Sequence, residues 1–225
     1  MKQINTYILE KLHLNKDITD KIEYNYHPEN KEKLFELLKK LLKERGPNAN
    51  LNDIDVSNID DMSCLFSSIE MNSSDMLKTF SNYSSNILPV GNYSNQFNGN
   101  FLKTKDDYLI HNIDISKWDV SNVKNMYGMF ATCRYFNSDL SKWHVDNVVN
   151  MSNMFYDNWK FNSDISNWDV SSCEQMYFMF NGCKKFNQNL NSWTLNKKCK
   201  GQNYYRMFKR CDSLKVIPDW YKGKQ

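Results

Sequence analysis

The residues of this 225-residue chain best equipped for chemistry stand in rows, one member every 25 positions. Asp119, His144 and Asp169 form one such row, and a histidine between carboxylates is the arrangement of a general base. A base needs a nucleophile and an oxyanion site beside it. Neither a Ser or Cys nucleophile nor an oxyanion loop accompanies this row, so catalysis is not expected. Asp114, Asp139 and Asp164 form a second row. Carboxylates stacked about 5 Å apart repel unless lysine or a cation lies between them, and calcium is the cation that such oxygens suit. The Asn, Ser and Lys around them argue against a metal. A third row reads Arg134, Trp159, Lys184, with Tyr135, Lys160 and Lys185 beside it. Basic and aromatic groups interleaved in this way can grip an acidic partner or phosphates, and a solvated surface is the plainer alternative. These six residues, with His144, are the candidate partner-binding set.

The six cysteines lack a CxxC pair and a Cys/His cluster, so neither a metal nor a cofactor is expected. Cys133, Cys183 and Cys211 share one slot, three residues after a Met-Phe pair, and Asn158 fills it in between. Sulfurs in alternate units would lie roughly 10 Å apart, too far for a disulfide. They read as small core residues in reduced form.

The rows exist because the chain repeats itself. Trp118, Trp143, Trp168 and Trp193 each open a copy of one phrase, such as ISKWDVSNVKNMYGMFATCRYFNSD from Ile115. A fixed period of this length means one supersecondary unit per repeat, stacked on its neighbours. In the unit from Leu140, Trp143 and Val145 lie two apart, as on one face of a short strand. Asp146 or Asn147 would cap a helix, and Val148, Met151, Met154 and Phe155 recur at helical spacing. The expected fold class is therefore α/β, a repeat solenoid of 25-residue strand-turn-helix units. Strands pack closer than helices, so the array should curve with a concave strand face as its docking surface. Asn137, Asn162 and Asn187 at the following turn should form a ladder of side-chain bonds to the next coil.

Residues 1–48 read as a helical segment and cap, with one helix around Ile4–Leu12. A second begins near Pro28 and stops at Gly46-Pro47. Residues 49–225 are the repeat array. Its first unit is LNDIDVSNIDDMSCLF, with Ile54 in the Trp slot. An insertion of about 39 residues follows within 67–112, and Phe97-Asn98 align with Phe136-Asn137. Insertions of this kind often bind. The unit 190–225 closes the array.

Composition narrows the function little. A net charge of +3 compels neither a nucleic-acid nor a membrane partner. No apolar run matches a signal-peptide core or a membrane span, so a cytoplasmic location is expected. An exposed Trp column would stack on sugars, but Trp143 shares its face with Val145, which favours a buried column.

The string WDVSNVxxMxxMFxxCxxFNxDLSxW, spanning about residues 51–66 and 113–220, resembles the BspA-type leucine-rich repeat surface protein family, in its short lipoprotein-associated variant. The resemblance implies a solenoid of mostly surface proteins that mediate adhesion or protein binding and have no enzymatic activity. The opening MKQINTYILEKLHLNKD is similar to starts seen on proteins of gut bacteriophages and their bacterial hosts. The expected function is non-enzymatic recognition of a protein partner. Carbohydrate-binding adhesion, or a structural role in a virion, is the alternative.

Overall fold

Helix α1, Lys31–Arg45, forms where the sequence offers each end a stop. The Asn30 side chain accepts the Lys33 amide at 3.0 Å, Gly46 closes the other end at φ 81°, and Lys43 and Arg45 sit in the last turn, toward the negative end of the helix dipole. The computed structural model describes residues 23–67 and 110–221. The expected helix around Ile4–Leu12, and residues 68–109 of the insertion, lie outside them. Leu34, Leu38, Leu41 and Leu42 on one face of α1 join the same core as Leu51 and Ile54 of the first coil. Polar contacts fix both ends of the helix to that coil. The Lys31 ammonium reaches Asp61 and Ser63, and the Arg45 guanidinium forks onto the Asp53 carboxylate at 2.8 and 2.9 Å.

The expectation of an α/β solenoid built from strand-turn-helix units is overturned. Among the described residues, α1 is the sole α-helix, with one 3-10 helix at Gly201–Tyr204. Backbone β contact among these residues is confined to five isolated parallel bridges: Tyr26–Ile54, Asn50–Asp114, Asp61–Asn125, Asn125–Asn150 and Asn150–Gln175. The segments read as helices are runs of turns. From Met151 to Asn158, alternate amides divide their bonds. Met151, Asn153, Phe155 and Asp157 donate to Gln175, Tyr177, Met179 and Asn181 of the next coil, at 2.7–3.0 Å. Met154, Tyr156 and Asn158 donate three residues back within their own coil. An α-helix would need all of these amides for bonds four residues back.

Two left-handed residues per coil, four apart, enforce the pattern. Gly128, Asn153, Phe178 and Arg206 hold the first position at φ 49–58°; Thr132, Asp157, Gly182 and Arg210 hold the second at φ 53–82°. Apolar spacings of three and four fit this staircase as well as they fit a helix. Without helices on one side, the difference in spacing that was to curve the array is gone. The concave strand face therefore has no counterpart.

The coils stack in register through their core rings. Phe66, Phe130, Phe155, Phe180 and Phe208 form a column with centroids 5.4–5.7 Å apart and planes within 9°. Phe136, Phe161 and Phe186 form a second column beside it, each ring 3.8–4.3 Å from its partner in the first. Trp118, Trp143, Trp168 and Trp193 are buried, at 3–4% exposure. Each indole donates to the first carbonyl of the preceding coil, at Leu51, Ile115, Leu140 and Ile165, over 2.9–3.0 Å. One such bond contributes about 1 kcal/mol, against roughly 2–3 kcal/mol for burying a large aromatic ring, so ring packing dominates. The predicted Asn ladder is present. Asn137, Asn162 and Asn187 accept the amides of Asn162, Asn187 and Lys215 at 2.7–2.9 Å.

The ladder also relocates the insertion. Asn48 accepts the Asn112 amide at 3.2 Å, so His111-Asn112 occupy the slot of Phe136-Asn137 that the sequence reading gave to Phe97-Asn98. At the other end Trp220 begins a further turn, stacked on Trp193 at 6.3 Å with its indole on the Leu190 carbonyl. The cysteine slot faces inward, and the thiols of Cys133, Cys183 and Cys211 donate to the Phe66, Phe155 and Phe180 carbonyls. Burial pushes the Cys211 thiol up to about 12 and Cys183 well above the ordinary value. Cys183 and Cys211 lie in adjacent coils, so the separation argued from alternate units holds for Cys133 and Cys183 alone.

Asn158 occupies that inward slot fully buried, its amide nitrogen and oxygen both without a hydrogen-bond partner among the described residues. Asn158→Cys supplies a thiol of nearly the same volume where the neighbouring thiols reach a carbonyl. It is expected to raise the unfolding free energy by about 1–3 kcal/mol, read as a higher urea midpoint at constant m. Asp53 is held at about 2, below its ordinary 3.8, chiefly by its bond from Arg45. Asp53→Asn should cost about 1 kcal/mol at pH 7. Because the folded value is the lower one, this difference from wild type persists above pH 3.8 and closes as the pH falls through 2. Parallel thermal melts from pH 7 to 2 check it.

Candidate functional site

The residue after the inward slot must point outward, and this places Arg134, Trp159 and Lys184 on the surface above Cys133, Asn158 and Cys183. Three backbone bonds hold their coils in register: Lys160 to Arg134, Lys185 to Trp159 and Ser213 to Lys184, donor amide to acceptor carbonyl, each 3.1 Å. Trp159 comes from the middle coil. The Arg134 guanidinium lies 4.4 Å and the Lys184 ammonium 4.2 Å from the centre of its ring. The two cations arrive from the coils on either side, so each covers its own face of the indole. Cation–π contacts at this range contribute about 0.5–1 kcal/mol at an exposed site. They fix two long side chains without neutralising either.

The indole edge is fixed as well. Trp159 donates through Nε1 to Asp157 Oδ1 at 3.0 Å, and Arg210 approaches the same oxygen at 3.6 Å. Arg210 sits two coils beyond Asp157, and the residue between them is Gly182. A Cβ on Gly182 would stand 2.7 Å from Asp157 Oδ1, and the backbone there is left-handed at φ +82°. The missing side chain is what lets the carboxylate lie across that coil.

The structure thus joins Arg134, Trp159 and Lys184 into one cluster. Tyr135 is 41% exposed beside them, its ring 5.2 Å from His111. Lys160 and Lys185 are exposed on the adjoining row. His144 is exposed in the row of Asp119 and Asp169 and shares no hydrogen bond, ion pair or ring contact with the cluster among the described residues. The sequence reading missed Asp157, Gly182 and Arg210. A glycine directly before Cys183, where other coils carry Thr132 and Asp157, was the one available signal.

The two aspartate rows have a local use. Asp114, Asp119 and Asp164 each accept the amide and the hydroxyl of the serine two residues on, at 2.6–3.1 Å, and Asp139 and Asp169 accept the corresponding serine amide at 2.9 Å. Bonds from Ser141 and Ser166 hold Asp139 and Asp164 below the ordinary carboxylate range, and the Ser171 amide and hydroxyl do the same for Asp169. These carboxylates close the turns that start each coil. Among the described residues no group of three His, Cys, Asp or Glu side chains is placed to hold a metal ion. Nor is any helix there long and apolar enough to cross a membrane.

A family model described as "Mycoplasma protein of unknown function, DUF285" matches residues 94–220, more than half of the chain. The chain belongs to this family. The match is consistent with a BspA-like assignment and takes in the whole cation–aromatic cluster. The first coil, 50–67, stacks in register on the matched region from outside it. Neither the curated proteins nor the solved structures yield a match.

Gly182→Ala forces a Cβ against Asp157 and strains a left-handed position. It is expected to cost about 1–3 kcal/mol in urea unfolding.

Proposed function

We propose that the chain is a non-enzymatic recognition module of the BspA-like type, in the 25-residue repeat variant, that binds a protein partner through the face formed by Arg134, Trp159 and Lys184 with Tyr135, Lys160 and Lys185. The observation that carries this reading is the division of labour within each coil. Inward positions repeat the same Met, Phe and Trp residues, whereas this outward row changes from coil to coil and gathers cations and aromatics around one indole. Aromatic and arginine side chains held in place are what protein interfaces use as anchors. The sugar-stacking alternative loses its main support. The Trp column is buried, and both faces of Trp159 are covered by cations. Display on a bacterial or phage surface belongs to the same proposal, on the strength of the family resemblance.

A photo-crosslinking residue in place of Tyr135 tests the reading in native cells. A discrete protein adduct is expected, lost when Arg134, Lys160, Lys184 and Lys185 are all changed to Glu and kept when Lys117 and Lys142 are changed instead. An adduct that survives the first set of changes, or labelling of glycan alone, would overturn it.

A further inference from the structure

We infer that the cation–aromatic face takes an acidic peptide in extended form, laid along the stacking direction, with its carboxylates on Arg134, Lys184, Lys160 and Lys185. The inference rests on the protein-binding reading and names the chemistry of the segment bound. Charge comes first. Arg134, Lys160, Lys184, Lys185 and Arg210 lie in this row and beside it against Asp157 and Asp212, so this face alone carries an excess of positive charge equal to the +3 of the whole chain. Asp157 is already engaged by the Trp159 indole and faces Arg210. Among the described residues, neither Arg134 nor Lys184 has a carboxylate within ion-pair distance.

The indole decides among anionic ligands. Sugars and nucleobases gain affinity by stacking on an open aromatic plane, and both planes of Trp159 are taken. What remains available is charge held at fixed points. The stacked rings of successive coils lie 5.4–5.7 Å apart, and an extended peptide turns same-side residues out every 6.7 Å or so, within reach of flexible lysine ammoniums. Trp159 is then a positioning residue. It holds Arg134 and Lys184 in place before the ligand arrives and so lowers the entropy lost on binding.

The test uses the full chain and a fluorescein-labelled octapeptide of alternating Glu and Ser, with alternating Gln and Ser as control and a heparin octasaccharide as competitor. The Glu peptide is expected to bind, and to weaken as salt rises from 50 to 200 mM, while the Gln peptide does not bind. Trp159→Leu should weaken binding by about tenfold with its urea midpoint held, and Trp159→Phe, which keeps a π face, should recover most of the loss. Equal binding of the Gln peptide, tighter binding of the heparin octasaccharide than of the peptide, or unchanged affinity in Trp159→Leu overturns the inference. A crosslink from position 135 to a protein segment without acidic residues also overturns it, and leaves the protein-binding reading standing.

Discussion

Everything in this molecule depends on how the amides of one eight-residue stretch per coil are shared. Half of them turn the chain back on itself, and half reach into the next coil. Neither half is sufficient. The local bonds alone would leave a string of isolated turns. The bonds between coils alone would leave strands with nothing to fold them around a core. Because the two alternate residue by residue, each coil can form only against a neighbour already in register, and the Phe columns are the apolar consequence of that register. The left-handed residues at 128 and 132 and their equivalents are where the backbone accommodates the alternation.

The same constraint builds the cation–aromatic cluster. An outward side chain repeats at the coil spacing, close enough for a guanidinium, an indole and an ammonium from three coils to stack without distorting any of them. The polar groups around it follow from the same geometry. Asp157 reaches past a coil because Gly182 leaves the way open, and the Asp-Ser turns satisfy their own carboxylates within two residues. The structure keeps local partners for the groups that fold it and leaves cations outward on one face.

Much was legible wherever one residue type answers to one environment. The Trp slot, the Asn ladder, the shift of 64 residues between the first coil and the second, and the limits of α1 all follow from types that are strongly selective about where they sit. What misled was a spacing with two solutions. Met151, Met154 and Phe155 lie on one face of a helix, and equally on the inner edge of a staircase of turns. Periodicity counts positions and does not reveal which amide an acceptor receives. Thr132, Asp157 and Phe178 give no warning of positive φ, because each is ordinary elsewhere. Phe97-Asn98 matched the repeat by letter, while His111-Asn112 match it by hydrogen bond.

The sequence by itself determined that the chain is a repeat, that its Trp and Phe residues form a common interior, and that Arg134, Trp159 and Lys184 fall in one row. Those conclusions need only the period, since equal spacing along the chain becomes adjacency once the coils stack. The tertiary structure alone decided that the unit is a run of turns, that both faces of Trp159 are closed by cations, and that Asp157, Gly182 and Arg210 belong to the cluster. Apart from the bond of Trp159 to Asp157, these depend on which neighbouring coil satisfies each donor, and that choice is made by contacts between residues 24 or more positions apart, which no local pattern records.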